Sequence, residues 1–139
     1  PVGTASVDVA LDVFGPVVSS ELARVVRPGG LVVAAHPGAA HLASLRALVY
    51  EQPRPHEVKD PLRDAPELFW RVGTMTVTFP VTITDASLLA DLFTMTPYRW
   101  HAPAGLAERL HIEAGRPGGF QTEVDVMLSS YRRTDFASS

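Results

Sequence analysis

Apolar and polar residues alternate from Val7 to Phe14: Val7, Val9, Leu11 and Val13 fall on one side, Asp8, Ala10, Asp12 and Phe14 on the other. A period of two predicts a strand, and Pro16 ends it. Ser19 or Ser20 is placed to cap a helix, Glu21 suits its first turn, and Leu22, Val25 and Val26 form its apolar stripe. Pro28-Gly29-Gly30 stops that helix, and Leu31 to Ala35 reads as a strand buried on both faces of a parallel sheet. Strand, helix and strand in about 30 residues make a βαβ unit.

The pattern then changes. His36-Pro37-Gly38 is a turn. A second helix is predicted from about Ala40 to Tyr50, with Leu42, Leu45 and Val49 facing a core. Gln52 to Pro66 holds four prolines and reads as an irregular excursion. Leu68 to Ile83 alternates through Val72, Met75, Val77, Phe79 and Val81 and predicts one or two strands, broken near Gly73. Asp85 can cap a helix reaching Met95, with Leu88, Leu89, Leu92 and Phe93 inward. Met95 to His101 reads as a loop, Ala104 to Ala114 as another helix, and Gln121 to Tyr131 as a last strand. The fold class is α/β: parallel strands first, antiparallel strands closing the sheet.

Composition narrows the function. The 139 residues suit one domain, and 46% apolar with 19% charged residues is an ordinary globular balance. With no cysteine, disulfides and zinc-thiolate sites are excluded within the chain. The apolar run from Gly30 to Ala35 is too short to span a bilayer, and no secretory leader opens the chain, so no membrane partner is expected and a cytoplasmic location is. A net charge of −3 argues against a free-standing nucleic-acid binder. The densest basic group is Arg46, Arg54, Lys59 and Arg63, which reads as a solvated face with local salt bridges or as an RNA-backbone contact.

Val9 to Pro16, followed by Glu21 to Gly30 with its Arg27-Pro28-Gly29-Gly30 ending, resembles the later half of class I, Rossmann-like methyltransferases that use S-adenosylmethionine. Three further blocks narrow the resemblance: Pro37-Gly38-Ala39-Ala40-His41-Leu42 with Leu45 and Tyr50, Met95-Thr96-Pro97-Tyr98 with Trp100, and Gln121 to Asp125. Together they are similar to the 23S ribosomal RNA guanine-N1 methyltransferases, from about Val7 to Arg132. The resemblance implies a partial methyltransferase domain over residues 1–139, lacking the family's N-terminal zinc module and the Gly-rich half that cradles the donor. Gly115 to Gly119 precedes a strand instead of following one, so it does not supply that cradle. Pro1 in place of an initiator methionine favours the same reading. One departure is His36, where the family more often has a hydroxyl residue.

The implied reaction sets the candidate residues. Methyl transfer to guanine N1 needs donor and acceptor at near-attack distance and a path for the N1 proton. Sites in open α/β sheets lie beyond the carboxyl ends of the strands. Phe14 and Pro16 are candidates for the wall beside the donor methyl, and the resemblance implies His41 as a donor-binding residue, with a local cap or bridge as its alternative. Asp12 or His36 can take the proton; Asp12 can equally cap the next element. Tyr98 and Trp100 can stack a flipped guanine or belong to the core. Tyr50 and Trp70 are read as core.

The implied activity is S-adenosylmethionine-dependent methylation of 23S rRNA in the complete protein, the fragment alone being inactive and free of metal. A small-molecule methyltransferase and a non-catalytic binding or dimerisation module are the alternatives. An uncovered strand edge and apolar face predict a homo-oligomer.

Overall fold

The computed structural model describes residues 1–135. Their order is β1 (Val7–Val13), α1 (Ser19–Val25), β2 (Val26–Pro37), α2 (Ala43–Val49), β3 (Phe69–Ile83), α3 (Ala86–Met95), a 3-10 turn (Pro97–His101), α4 (Leu106–Ala114) and β4 (Phe120–Arg133). The strands form one sheet in the order β1-β2-β4-β3. β1 and β2 run parallel and β2 and β4 antiparallel, as the alternation predicts.

β2 begins earlier than expected, because Arg27-Pro28-Gly29-Gly30 does not end in a loop. Val7 pairs with Val26 but Val9 already pairs with Leu31, so residues 27–30 form a bulge opposite Asp8. Gly29 sits at φ 71, where a side chain is strained. A Cβ on Gly30 would lie 2.9 Å from the Asp8 carbonyl oxygen and 2.8 Å from that of Arg27. The Pro-Gly-Gly block therefore lets two strands meet immediately after α1. That helix starts without a side-chain cap: its N-cap is Val18, not Ser19 or Ser20. Glu21 and Arg24 tie its turns through a salt bridge.

The chain packs as two compact units. One comprises Pro1–Gly38, Glu57–Val77 and the described residues from Val126 on; the other comprises Ala39–His56 and Thr78–Asp125. The first unit's core holds Ala23, Val26, Val32, Ala34, Leu62, Phe69 and Tyr131. The second unit's core is helical, with Leu45 and Val49 of α2, Leu89 and Phe93 of α3, and Leu106 and Leu110 of α4, joined by Tyr98 and Phe120. Asp85 caps α3 as expected, accepting from the Ser87 and Leu88 backbone N–H groups. Leu88, expected inward, is exposed.

Four more expectations need correction. α2 starts at Ala43, after Leu42 adopts a left-handed backbone at φ 50. Met95 to His101 contains a 3-10 turn where a loop was expected. β3 is one strand running through Gly73 and Pro80, and a proline is tolerated there because β3 is a sheet edge. Its residues 70–80 are all exposed, Trp70 among them, so Trp70 is not core. On β1, the other edge, the apolar column is the outer one: Leu11 is 73% exposed and Val13 66%, while Ala10 packs toward the core.

Candidate active site at the carboxyl ends of the parallel strands

In the first unit, β1 and β2 end side by side, with Val13 opposite Ala35. The Phe14 N–H donates to the Ala35 carbonyl at 2.9 Å, carrying the ladder one residue past the strand. Phe14 then turns at φ 55, a left-handed conformation that costs a non-glycine residue about 1–2 kcal/mol. The reversal brings Gly15 alongside His36. Gly15 and Val17, His36 and Pro37, and the stretch from Glu57 to Asp64 line a cleft of about 420 Å³.

His36 is half-buried, with Nε2 3.4 Å from the Ser129 hydroxyl. Burial holds its pKa below the ordinary range, against a smaller upward pull from Asp60. A neutral imidazole able to accept a proton at pH 7 follows. Asp12 lies apart from the cleft wall. A Cβ on Gly15 would meet its Oδ1 at 2.2 Å, so the carboxylate folds over its own turn. Phe14 and Pro16 are exposed at the same turn.

A hydrogen-bond network that joins residues far apart in the chain stands behind the cleft. Asp60 accepts from the Tyr131 hydroxyl and the Leu62 N–H and pairs with Arg71 at 3.2 Å. Tyr131 is 2% exposed; burial, then its bond to Asp60, pushes its pKa up to about 12. It stays a donor across the accessible range and pins the Glu57–Asp64 wall to β4. Proline density made that stretch read as irregular, and only the spacing of Asp60 and Leu62, a local Asx-type turn, marked it as ordered.

In the second unit, the residues before α2 are fastened to β4. The Leu42 N–H donates to the Glu123 carbonyl at 2.8 Å, the Ala40 N–H to Asp125 Oδ2 at 2.9 Å, and the Asp125 N–H to His41 Nδ1 at 3.3 Å. His41 therefore bridges locally and, when neutral, carries its proton on Nε2. Burial foremost keeps its pKa low. Tyr98 and Trp100 separate: Tyr98 is buried, 2.8 Å from His56 Nε2, whereas Trp100 is 74% exposed beneath the Arg99 guanidinium at 4.4 Å. They do not form one stacking surface. Lys59 and Arg63 make exposed ion pairs with Glu57 and Asp64, but Arg46, grouped with them by sequence, is buried.

Among the described residues, no group of three or more His, Cys, Asp or Glu side chains is placed to hold a metal ion, and no helix is long and apolar enough to cross a membrane.

The fold, a mixed α/β sheet whose first two strands are parallel, matches methyltransferase-like folds. A solved structure of a Bacillus halodurans protein designated a candidate methyltransferase superimposes with a TM-score of 0.57 at 12% identity, over 97% of this chain and 68% of that one. A second, from work on the conversion of a disulfide bond into a thioacetal group during echinomycin biosynthesis, gives a TM-score of 0.52 at 13% identity, over 97% of this chain. The chain spans 52% of that protein's length. No family profile matches the sequence, and no curated protein sequence matches it.

The three depressed histidines fix a pH dependence. His36, His41 and His56 each lie below the ordinary 6.5 when folded, burial being the first cause in each. Between those lowered values and 6.5 the unfolded chain binds more protons, so stability rises with pH. Stability should be fully present above pH 6.5 and decline on acidification through it. The urea midpoint is expected to be lower at pH 5.5 than at 7.5, with a shallower decline in His56→Gln. A midpoint that climbs on acidification contradicts this.

Proposed function

We propose that these residues are the acceptor side of an S-adenosylmethionine-dependent methyltransferase, acting in the cytoplasm on guanine N1 of 23S rRNA. The observation that carries the reading is the cleft where β1 and β2 end, with the neutral His36 imidazole on its wall, in a methyltransferase fold. The RNA acceptor is supported by the resemblance of the Pro37 to Leu42 and Met95 to Trp100 blocks.

The residues fit one end of the donor. Phe14, Gly15 and Pro16 make a tight turn in which the Asp12 carboxylate takes the space that a side chain on Gly15 would fill, so a methyl sulfonium would approach beside a carboxylate of opposite charge. The bound donor supplies an electrophilic methyl carbon whose C–S electron pair leaves with sulfur. His36 takes the N1 proton as the N–CH3 bond forms and passes it to water through the open cleft. Asp12, folded over Gly15, positions the turn. Phe14 and Pro16 flank the methyl, and a donor-binding role for His41 is supported by the resemblance of the Pro37 to Leu42 block. Tyr98, held by His56, is a structural residue in this reading, which leaves Trp100 for base stacking. The resemblance implies that a Gly-rich segment holds the remainder of the donor, so these 139 residues alone are expected to hold it weakly.

A second reading keeps the chemistry and changes the acceptor. The echinomycin-related neighbour points to a small molecule, and fold does not fix substrate.

Protein containing these residues, given labelled S-adenosylmethionine and unmodified 23S rRNA, is expected to yield N1-methylguanosine after nucleoside digestion. His36→Gln should lower turnover by about 10²–10⁴-fold. Full turnover in that variant removes His36 as the base, and no label in RNA removes the rRNA acceptor.

The outward column Val9, Leu11 and Val13 calls for cover and β1 is a sheet edge, so the isolated chain is expected to self-associate, by edge pairing along β1 or by packing of these apolar faces. Sedimentation at micromolar concentration should show a dimer or larger species, shifted toward monomer by Leu11→Glu. A monodisperse monomer contradicts the self-association.

A further inference from the structure

Arg46 is the least expected charge in the molecule. It sits on α2, only 5% exposed. Its Nη1 donates to the His41 carbonyl at 2.7 Å and its Nη2 to the Ala39 carbonyl at 2.9 Å. Those partners are neutral, as is the Tyr98 hydroxyl that it also faces. Its Nε is buried with no hydrogen-bond partner, and among the described residues no carboxylate forms an ion pair with it. Asp125, the buried acid of this unit, is engaged by the Ala40 N–H. A buried, always-charged guanidinium facing only neutral acceptors leaves much of its desolvation cost unrecovered.

The guanidinium also forms part of a wall. Arg46 lines an open cleft of about 350 Å³ with Ala39, Ala40, Ala43, Pro53, Arg54 and Pro55. The lining holds two arginines and no carboxylate. Three alanines keep the approach to the buried charge unobstructed. Burial first, and then the charge of Arg46, lower the pKa of His56; at His41 burial lowers it, and the pull of Arg46 is opposed by Asp125.

We propose that this cleft is a phosphate-binding site, in which Arg46 supplies the fixed, buried positive charge and Arg54 closes over the ligand from the rim. Two guanidiniums without a competing acid match the charge of a phosphate group and the bidentate geometry that arginine offers to its oxygens. A single carboxylate would leave one positive charge unbalanced. The lining carries no aromatic ring to grip a base or an organic body, so recognition centres on the phosphate itself. The site lies within the second unit and stands whether or not the cleft of the first unit performs methyl transfer.

Phosphate added at constant ionic strength, with chloride as the balancing ion, should raise the melting temperature of the protein by linkage. Arg54→Ala should weaken phosphate binding, measured by calorimetry, by about tenfold, while leaving the phosphate-free melting temperature unchanged because the side chain is at the rim. Arg46→Gln should abolish binding; if that variant fails to fold, the Arg54 result decides alone. Competition arms separate the sources. Displacement of phosphate by adenosine monophosphate, but no better by a single-stranded oligonucleotide, identifies a free phosphate monoester. Displacement at least tenfold tighter by the oligonucleotide identifies a polynucleotide backbone. An equal response to phosphate and chloride, or phosphate binding that is undiminished in Arg54→Ala, overturns the proposal.

Discussion

The pairing of β2 with β1 on one side and β4 on the other is the constraint from which the candidate site follows. β2 is an inner strand, and its early residues can reach β1 only because Gly30 lets two backbones approach within contact distance. A side chain there would push against carbonyl oxygens on both sides. Once that register is set, β1 and β2 end together, the Phe14 N–H finds the Ala35 carbonyl, and the chain must reverse at Gly15 beside His36. The position of the imidazole in the cleft is thus a consequence of strand register, not of any contact His36 makes.

The two units solve the problem of buried polarity differently. In the first, Asp60, Tyr131 and Arg71 satisfy one another, and the network fixes the far wall of the cleft to β4. Removing one partner would strand a buried group, which is why such networks hold geometry well. In the second, Arg46 has been buried among carbonyl oxygens with no acid opposite it. The satisfied network makes a wall, whereas the unsatisfied charge on a cleft is the feature on which the proposed phosphate site rests.

The βαβ opening, the Asp85 cap and the antiparallel closing strand were legible because each rests on local chemistry: period-two alternation, a capping carboxylate, a glycine turn. Strand edges were harder. Alternation in β1 identifies a strand but not which face is covered, and here the apolar column faces outward. Trp70 was misplaced for the same reason, since β3 is an edge whose residues 70–80 are all exposed. The site was legible in part. His36 could be placed from the βαβ unit and its turn. Asp60 could not, because its partner Tyr131 is 71 residues away. Arg46 was lost to a charge-cluster argument: spacing puts it near Arg54, Lys59 and Arg63, but α2 turns it inward. Tyr98 and Trp100 look like a pair in sequence, and the 3-10 turn sends them to opposite environments.

The claim that the carboxyl ends of β1 and β2 receive the methyl donor is tested most directly by backbone NMR of the chain titrated with S-adenosylhomocysteine, the demethylated product, to millimolar concentration. The account predicts progressive shifts of the Phe14, Gly15 and His36 amides, with little change along β3. Shifts confined to other parts of the chain, or none at saturating ligand, would contradict it.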